Sequence, residues 1–187
     1  MDTFRWISVI VSIILGLGVT RLLIGAVNVF RMRDRAVFYW PVLAWAAAIF
    51  AQQVAFWWSL EAASGVVTSW TFIAFLLLVG LVLALFLAAT LILPFDRLPE
   101  GETLRTYFER DGRWALAALA VFNLLAILTN TEIWHEGLLT ESARINLVLT
   151  IIPAAGFLGG RRVHMAAAIA YLVIVAWGIH DLSPLAY

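Results

Sequence analysis

One arginine lies inside an apolar stretch, and its placement is the strongest sign of chemistry in this chain. Arg21 belongs to the apolar run 6–30, which contains no aspartate or glutamate. Gly18, Gly25 and Asn28 lie at i−3, i+4 and i+7, so they share its face on a helix. Because a charge inside a membrane segment is costly and is seldom left without a partner, we expect either an internal cross-link or a bound anion there.

Amide side chains in other apolar runs are the candidate internal partners of Arg21. Gln52, Gln53 and Asn123 lie at about the same depth, and bonds to them would join helices as a structural cross-link. The alternative is an anionic ligand such as a phosphate, a carboxylate or a lipid headgroup, which a guanidinium binds through paired hydrogen bonds. An interfacial or oligomer contact is the third interpretation, and the sequence leaves all three open.

A second cluster, after the fourth apolar run, contains metal-ligand side chains. Glu132, His135 and Glu136 lie at i, i+3 and i+4, and His180 ends the sixth run on the same predicted side of the membrane. Such ligands suit zinc, iron or manganese, and one haem between His135 and His180 is a further alternative. A solvated acidic surface is the simpler interpretation, so no cofactor is predicted.

Several chemistries are excluded by composition. The chain has no cysteine and no lysine, which removes iron–sulfur clusters, thiolate haem ligation and retinal or pyridoxal Schiff bases. It also lacks the motifs of serine hydrolases, zinc proteases and phosphate-binding loops. No carboxylate lies in the interior of an apolar run, which argues against an ion-driven pump.

Six apolar runs would position these residues. With 64% hydrophobic and 13% charged residues, the composition is that of a membrane protein. A bilayer core takes roughly 20 helical residues per crossing, so the short fifth run must cross untilted or begin earlier. The sequence predicts an all-α, polytopic six-helix transmembrane bundle, a single integral membrane domain over residues 1–187. Its predicted transmembrane segments are 6–30, 36–60, 70–95, 114–133, 145–160 and 163–182.

The arginine distribution predicts the orientation. Nine of the twelve arginines fall in the first, third and fifth connections, whereas only Arg5 and Arg144 fall on the opposite side. By the positive-inside rule, both termini then lie on the non-cytoplasmic side. The start of the chain lacks a basic signal-peptide region, so we expect the first run to remain as a helix. The arginine-only, alanine- and leucine-rich composition fits a GC-rich bacterial genome, and hence the inner (plasma) membrane.

The third connection, 96–113, is the only long one. Leu104, Tyr107 and Phe108 recur in it at helical spacing, and Gly112 provides a stop signal. This pattern predicts a short interfacial helix on the cytoplasmic side. A solvated loop with three chance apolar residues is the alternative.

These observations leave three classes of function. The first is a non-catalytic multi-pass membrane protein whose helix faces around Arg21 bind a partner, a lipid or an anionic small molecule. The second is a small oligomeric transporter or channel for an anionic solute. The third is a membrane enzyme or redox subunit with the His/Glu site on its outer face. The expected partners are the lipid bilayer and a homo-oligomer or larger membrane complex, and no nucleic acid is predicted.

Overall fold

All regular secondary structure in the described part of the chain is helical. The computed structural model describes residues 3–33, 39–63, 70–133, 135, 137 and 139–182, and the secondary structure within them consists of helices. The π-helical turn Phe108–Gly112 directly follows α4. The all-α prediction is confirmed. The α-helices are α1 (Thr3–Arg31), α2 (Trp40–Ala63), α3 (Phe72–Ile92), α4 (Leu104–Tyr107), α5 (Trp114–Ile133), α6 (Glu141–Leu158) and α7 (Arg161–Leu182).

Capping residues and proline set the helix ends. The side chain of Thr140 accepts a hydrogen bond from the backbone N–H of Ala143 at 3.3 Å, so α6 begins at Glu141 rather than at residue 145. This earlier start makes α6 18 residues long, as the short fifth run required. At the C-terminal end of α3, Pro94 follows the cap residue Leu93 and cannot continue the helix.

Five helices in the described residues are long and apolar enough to cross a membrane: α1, α2, α3, α5 and α6. Large apolar side chains cover the outward faces of the bundle, for example Ile13, Leu23, Phe72, Ile151 and Val173, each more than half exposed. A water-soluble protein seldom exposes so much continuous apolar surface, whereas lipid chains cover it readily. The structure therefore supports an all-α membrane bundle.

The six long helices form a closed ring of neighbours in the order α1, α3, α5, α6, α7, α2, and α2 also contacts α3. α1 and α3 are parallel. The rings of Phe4 and Trp70 lie 5.8 Å apart where these helices start, and the N–H of Leu98 donates to the sulfur of Met32 at 3.3 Å beyond their other ends. We call the first end of the bundle the Trp70 end and the opposite one the Phe108 end.

The short helix in the third connection packs on the bundle. Leu104 and Phe108 are buried. The Phe108 ring lies 6.1 Å from the ring of Tyr39 and meets His164 edge-on at 5.0 Å. A helix was predicted within 96–113 and is present. Phe108, in the π-helical turn that follows α4, contacts Tyr39 just before α2 and His164 of α7 instead of lying in a solvated loop.

Candidate functional site

Arg21 of α1 binds the backbone carbonyls at the C-terminal end of α3. Its Nη2 donates to the backbone carbonyls of Thr90 at 3.2 Å and Leu93 at 3.3 Å. Its guanidinium also lies 4.6 Å from the centre of the Phe95 ring. The last carbonyls of an α-helix have no intrahelical donor and carry the negative end of the helix dipole, so a cation is favourable at this position. Arg21 is therefore a cross-link between α1 and the end of α3.

The segment that follows α3 runs along one face of α1. Gly25 permits the close approach, because a Cβ added there would lie 2.6 Å from the Cβ of Leu93. The side-chain amide of Asn28 donates to the carbonyl of Phe95. The contacting residues follow a helical stripe of Arg21, Gly25 and Asn28 on α1, continued by Met32 just beyond its end.

None of the three amides expected beside Arg21 forms a hydrogen bond with it in the described chain. Gln52 Nε2 donates to the Tyr171 hydroxyl at 3.0 Å, and Asn123 Nδ2 donates to the same hydroxyl at 3.1 Å. Gln53 is buried against Gly18, and neither atom of its amide has a hydrogen-bond partner in the described chain. The predicted cluster is thus divided: Gln52 and Asn123 meet at Tyr171, while Arg21 and Asn28 bind the end of α3.

A two-lobed cleft lies at the Trp70 end, with this Tyr171 cluster next to it. One lobe, of about 340 Å³, is enclosed by α2, α3, α5 and α6. The other, of about 320 Å³, lies between α2, α6 and α7. We call the two lobes together the amide cleft. They share the lining residues Gln52, Ala55, Asn146 and Leu149.

Three amides of the cleft have free side-chain oxygens, and each amide also has a second N–H besides the one that donates. The Nδ2 of Asn130 donates to the Ser142 hydroxyl at 2.9 Å, and the Nδ2 of Asn146 donates to the Ser142 carbonyl at 3.1 Å. With the Gln52 donor bound to Tyr171, the side-chain oxygens of all three amides have no hydrogen-bond partner among the described residues. No charged side chain belongs to the described lining of either lobe.

A proline adds a further acceptor beside the cleft. Pro153 lies inside α6 and has no N–H, so it cannot donate to the carbonyl of Leu149 four residues earlier. Leu149 lines both lobes. Non-helical hydrogen bonding at membrane depth is tolerated where the backbone borders a cavity or other protein groups. Leu149, whose carbonyl lacks the Pro153 donor, thus lines the same cleft as the three amides.

The Phe108 end has a different electrostatic character. The Tyr107 hydroxyl donates to the carbonyl of Leu91 at 2.9 Å, which gives the end of α3 a second donor. Burial raises the pKa of Tyr107 to about 12. Arg105 and Glu109 form an ion pair at 2.7 Å on the surface, where such a pair contributes little stability.

The predicted metal cluster is only partly described. Glu132 and His135 are exposed, and His135 has a left-handed backbone with φ 52°. Glu136 and the side chain of His180 lie outside the described residues. Among the residues that are described, no group of three or more His, Cys, Asp or Glu side chains could hold a metal ion. The metal and haem hypotheses stay predictions.

Several cleft residues were not singled out from the sequence, notably Asn130, Asn146 and Tyr171. A signal for Asn146 is present, since Ser142, Asn146 and Thr150 follow each other at i+4 along an apolar run. For Tyr171 and Asn130 the sequence holds no comparable pattern, because their partners come from other helices.

Known proteins offer no guide to this cleft. Comparisons of the chain with protein-family models, with curated proteins and with solved structures found no match. The grounds for inferring a function are therefore the chemistry and the geometry of the bundle.

Proposed function

We propose that the protein is a six-span, non-catalytic protein of the inner (plasma) membrane that binds an uncharged, hydroxyl-bearing molecule in the amide cleft. α7 is the sixth span, since it has 22 residues and lies between α2 and α6 in the ring. The arginines of the first, third and fifth connections mark the Phe108 end as cytoplasmic. The amide cleft then lies in the outer half of the membrane, and both termini lie outside.

The observation that carries this proposal is a cleft with free acceptors and no charge. The side-chain oxygens of Gln52, Asn130 and Asn146 need hydrogen-bond donors, which hydroxyl groups supply. No cationic side chain in the described lining would offset the loss of hydration of an anion, and no carboxylate would offset that of a cation. The aromatic rings of Phe56 and Phe122 supply an apolar wall. Each lobe also falls within the volumes typical of small-molecule sites, roughly 300–1,000 Å³.

Arg21 has a different role in this proposal. Its Nη2 is bound to two carbonyls, and its Nη1 is buried without a hydrogen-bond partner in the described chain, so a ligand has no open approach to that atom. The contacts favour Arg21 as a structural cross-link. An anion at Arg21, as the sequence suggested, stays a prediction that the experiment below also tests.

Native mass spectrometry of protein extracted together with its surrounding lipid tests the proposal. We expect wild type to carry a reproducible added mass of an uncharged hydroxyl compound, and Asn146→Leu to lose it. Asn146 donates only within its own helix, so this substitution leaves helix–helix bonds intact. The added mass should survive in Arg21→Gln. An anionic mass that is lost from Arg21→Gln and kept by Asn146→Leu would contradict the proposal. The same spectra report the number of chains, and so test the predicted homo-oligomer.

A transporter for the same ligand is the second candidate, because polar groups continue from the cleft toward the Phe108 end. Trp45 packs on Tyr171 with ring centres 5.3 Å apart, and its buried Nε1 has no hydrogen-bond partner in the described chain. Beyond Trp45, the ring of His164 lies 3.0 Å from the carbonyl of Gly156. Saturable uptake of radiolabelled glycerol by proteoliposomes, lowered in Asn146→Leu, would favour transport. Binding without uptake would favour the first candidate.

A further inference from the structure

A groove adjoins the amide cleft at the Trp70 end. It lies between the first turns of α1 and α3 and has a volume of about 410 Å³. Trp70 lines both this groove and the larger lobe of the cleft, so the two spaces meet at this residue. We call it the α1/α3 groove. Its lining residues are Trp6, Ile7, Ile10, Trp70, Thr71, Phe72 and Phe75.

The α1/α3 groove is suited to hydrocarbon. The one hydroxyl in its lining, that of Thr71, accepts from the N–H of Ala74 at 3.0 Å and so caps α3. Trp6, Ile10 and Phe72 are exposed on the outside of the bundle, on faces that lipid covers in a membrane. A lipid chain that moves into this groove exchanges one apolar environment for another, so its entry needs only a close van der Waals fit.

The packing of Trp70, where the groove and the cleft meet, leaves its side chain room to move. It is only partly buried, and its ring packs on Phe4 at 5.8 Å with the planes tilted by 32°. It precedes Thr71, the cap of α3, so its backbone lies outside the helix. An indole in this position can change rotamer without breaking a helix hydrogen bond.

We propose that the ligand of the amide cleft is an uncharged amphiphile with a single chain, which enters sideways from the outer leaflet. Its hydroxyl-bearing head lies against Gln52, Asn130 and Asn146, and its hydrocarbon chain passes Trp70 into the α1/α3 groove. This inference rests on the proposed function. Three observations support it: the two spaces share Trp70, neither described lining carries a charge, and the acceptors lie on the cleft side alone.

Photolabelling in phosphatidylcholine vesicles tests where the two parts of such a ligand lie. Two 1-O-dodecylglycerol probes are used, one with a diazirine beside the head and one with a diazirine at the end of the chain. We expect the head probe to label cleft peptides of α5 and α6, and the chain probe to label the first turns of α1 and α3. Unlabelled 1-O-dodecylglycerol should compete with both probes, and dodecyl phosphate should not.

Two tryptophan substitutions on α1 provide a matched comparison. Ile10 lines the groove and is 42% exposed, whereas Ile24 is 43% exposed and does not line it. We expect Ile10→Trp to fill the groove and lower competed labelling by about tenfold, equivalent to about 1.4 kcal/mol of binding free energy. Ile24→Trp should label like wild type. Thermal unfolding of both variants checks that they are folded.

The outcomes separate this inference from the proposed function. If the head probe labels the cleft while the chain probe labels other sites, or if free glycerol competes as well as 1-O-dodecylglycerol, the amphiphile is wrong and the cleft ligand stands. If no competed labelling of the cleft occurs in wild type, the amphiphile is wrong, and the added mass in the native spectra, lost or kept in Asn146→Leu, decides whether the cleft ligand stands. The wild-type map decides between these outcomes even if Ile10→Trp fails to fold.

Discussion

The two ends of the bundle differ in the hydrogen bonding of their polar side chains. At the Phe108 end, Arg21 and Tyr107 donate to the last carbonyls of α3, and Asn28 donates to the segment beyond it. At the Trp70 end, the oxygens of Asn130 and Asn146 have no donor in the described chain and border open space. In an apolar solvent, paired groups favour rigidity, whereas unpaired groups at a cavity favour a ligand. The comparison supports the proposal that Arg21 stabilises the fold and that the uncharged amides form the binding site.

The largest effect is expected from breaking the Arg21 cross-link. Arg21→Gln removes the charged donor to two carbonyls, and hydrogen bonds of charged groups contribute about 1.5–3 kcal/mol each, so we expect a loss of about 3 kcal/mol or more in unfolding free energy. Thermal unfolding in lipid nanodiscs measures it. Arg31→Gln, at an exposed arginine of the same helix, is the control and should change little. An unchanged unfolding temperature for Arg21→Gln would show that the contacts to α3 do not stabilise the protein.

Two glycines of α1 test the close packing between α1 and the segment after α3, and the expected effect is smaller. A Cβ at Gly25 would lie 2.6 Å from the Cβ of Leu93, so Gly25→Ala must displace the segment after α3 and should cost about 1–3 kcal/mol. Nothing lies within 4 Å of a Cβ built at Gly16, so Gly16→Ala should be neutral or stabilise the helix by up to about 1 kcal/mol. Chemical denaturation of the two variants gives both values. Equal destabilisation by both would mean that the segment does not contact α1 as described.

Adjacent glutamines of α2 separate stability from binding. Gln53 is buried with no hydrogen-bond partner for its amide in the described chain, so Gln53→Met should stabilise the protein by about 1 kcal/mol. Gln52 borders the amide cleft and donates to Tyr171, so Gln52→Met should weaken ligand binding. Unfolding temperature and native mass spectrometry, applied to both variants, give the two readouts. Loss of the bound mass from Gln53→Met but not from Gln52→Met would mean that the ligand binds on the face of α2 that carries Gln53, not in the amide cleft.

The smallest effect concerns alkaline pH. Burial raises the pKa of Tyr107 to about 12 from a usual value of 10.0, so its neutral form is favoured in the folded protein. Its contribution to stability is therefore complete below pH 10 and is lost as the pH rises toward 12. Unfolding temperatures between pH 9 and 12 should fall less steeply for Tyr107→Phe than for wild type. Identical slopes would mean that the Tyr107 hydroxyl is not buried in the folded protein.

The sequence predicts the helices well, because apolar length and flanking polar residues determine them locally. The prediction of 114–133 coincides with α5, and α6 begins early because a threonine cap lies just before the apolar run. The helix in the third connection was also predictable from the spacing of Leu104 and Phe108. These features depend on residues within one or two turns of each other.

Long-range contacts could not be predicted in the same way. Arg21 was expected beside amides of similar depth, but its partners are backbone carbonyls, which every residue carries and no sequence pattern reveals. The cleft arises where α2, α3, α5 and α6 leave space, and space depends on how whole helices pack. Asn146 became a candidate only when the structure placed its free oxygen at that space.

Ligand-induced thermal stabilisation in three proteins tests most directly whether binding and stability belong to opposite ends. Wild type, Arg21→Gln and Asn146→Leu are heated in nanodiscs with and without 1-O-dodecylglycerol, since a ligand of the folded state raises the unfolding temperature. We expect Arg21→Gln to unfold earlier and still gain stability from the ligand, and Asn146→Leu to unfold like wild type and gain none. The reverse, with the ligand effect lost from Arg21→Gln and kept by Asn146→Leu, would contradict this division of roles and return the site to Arg21.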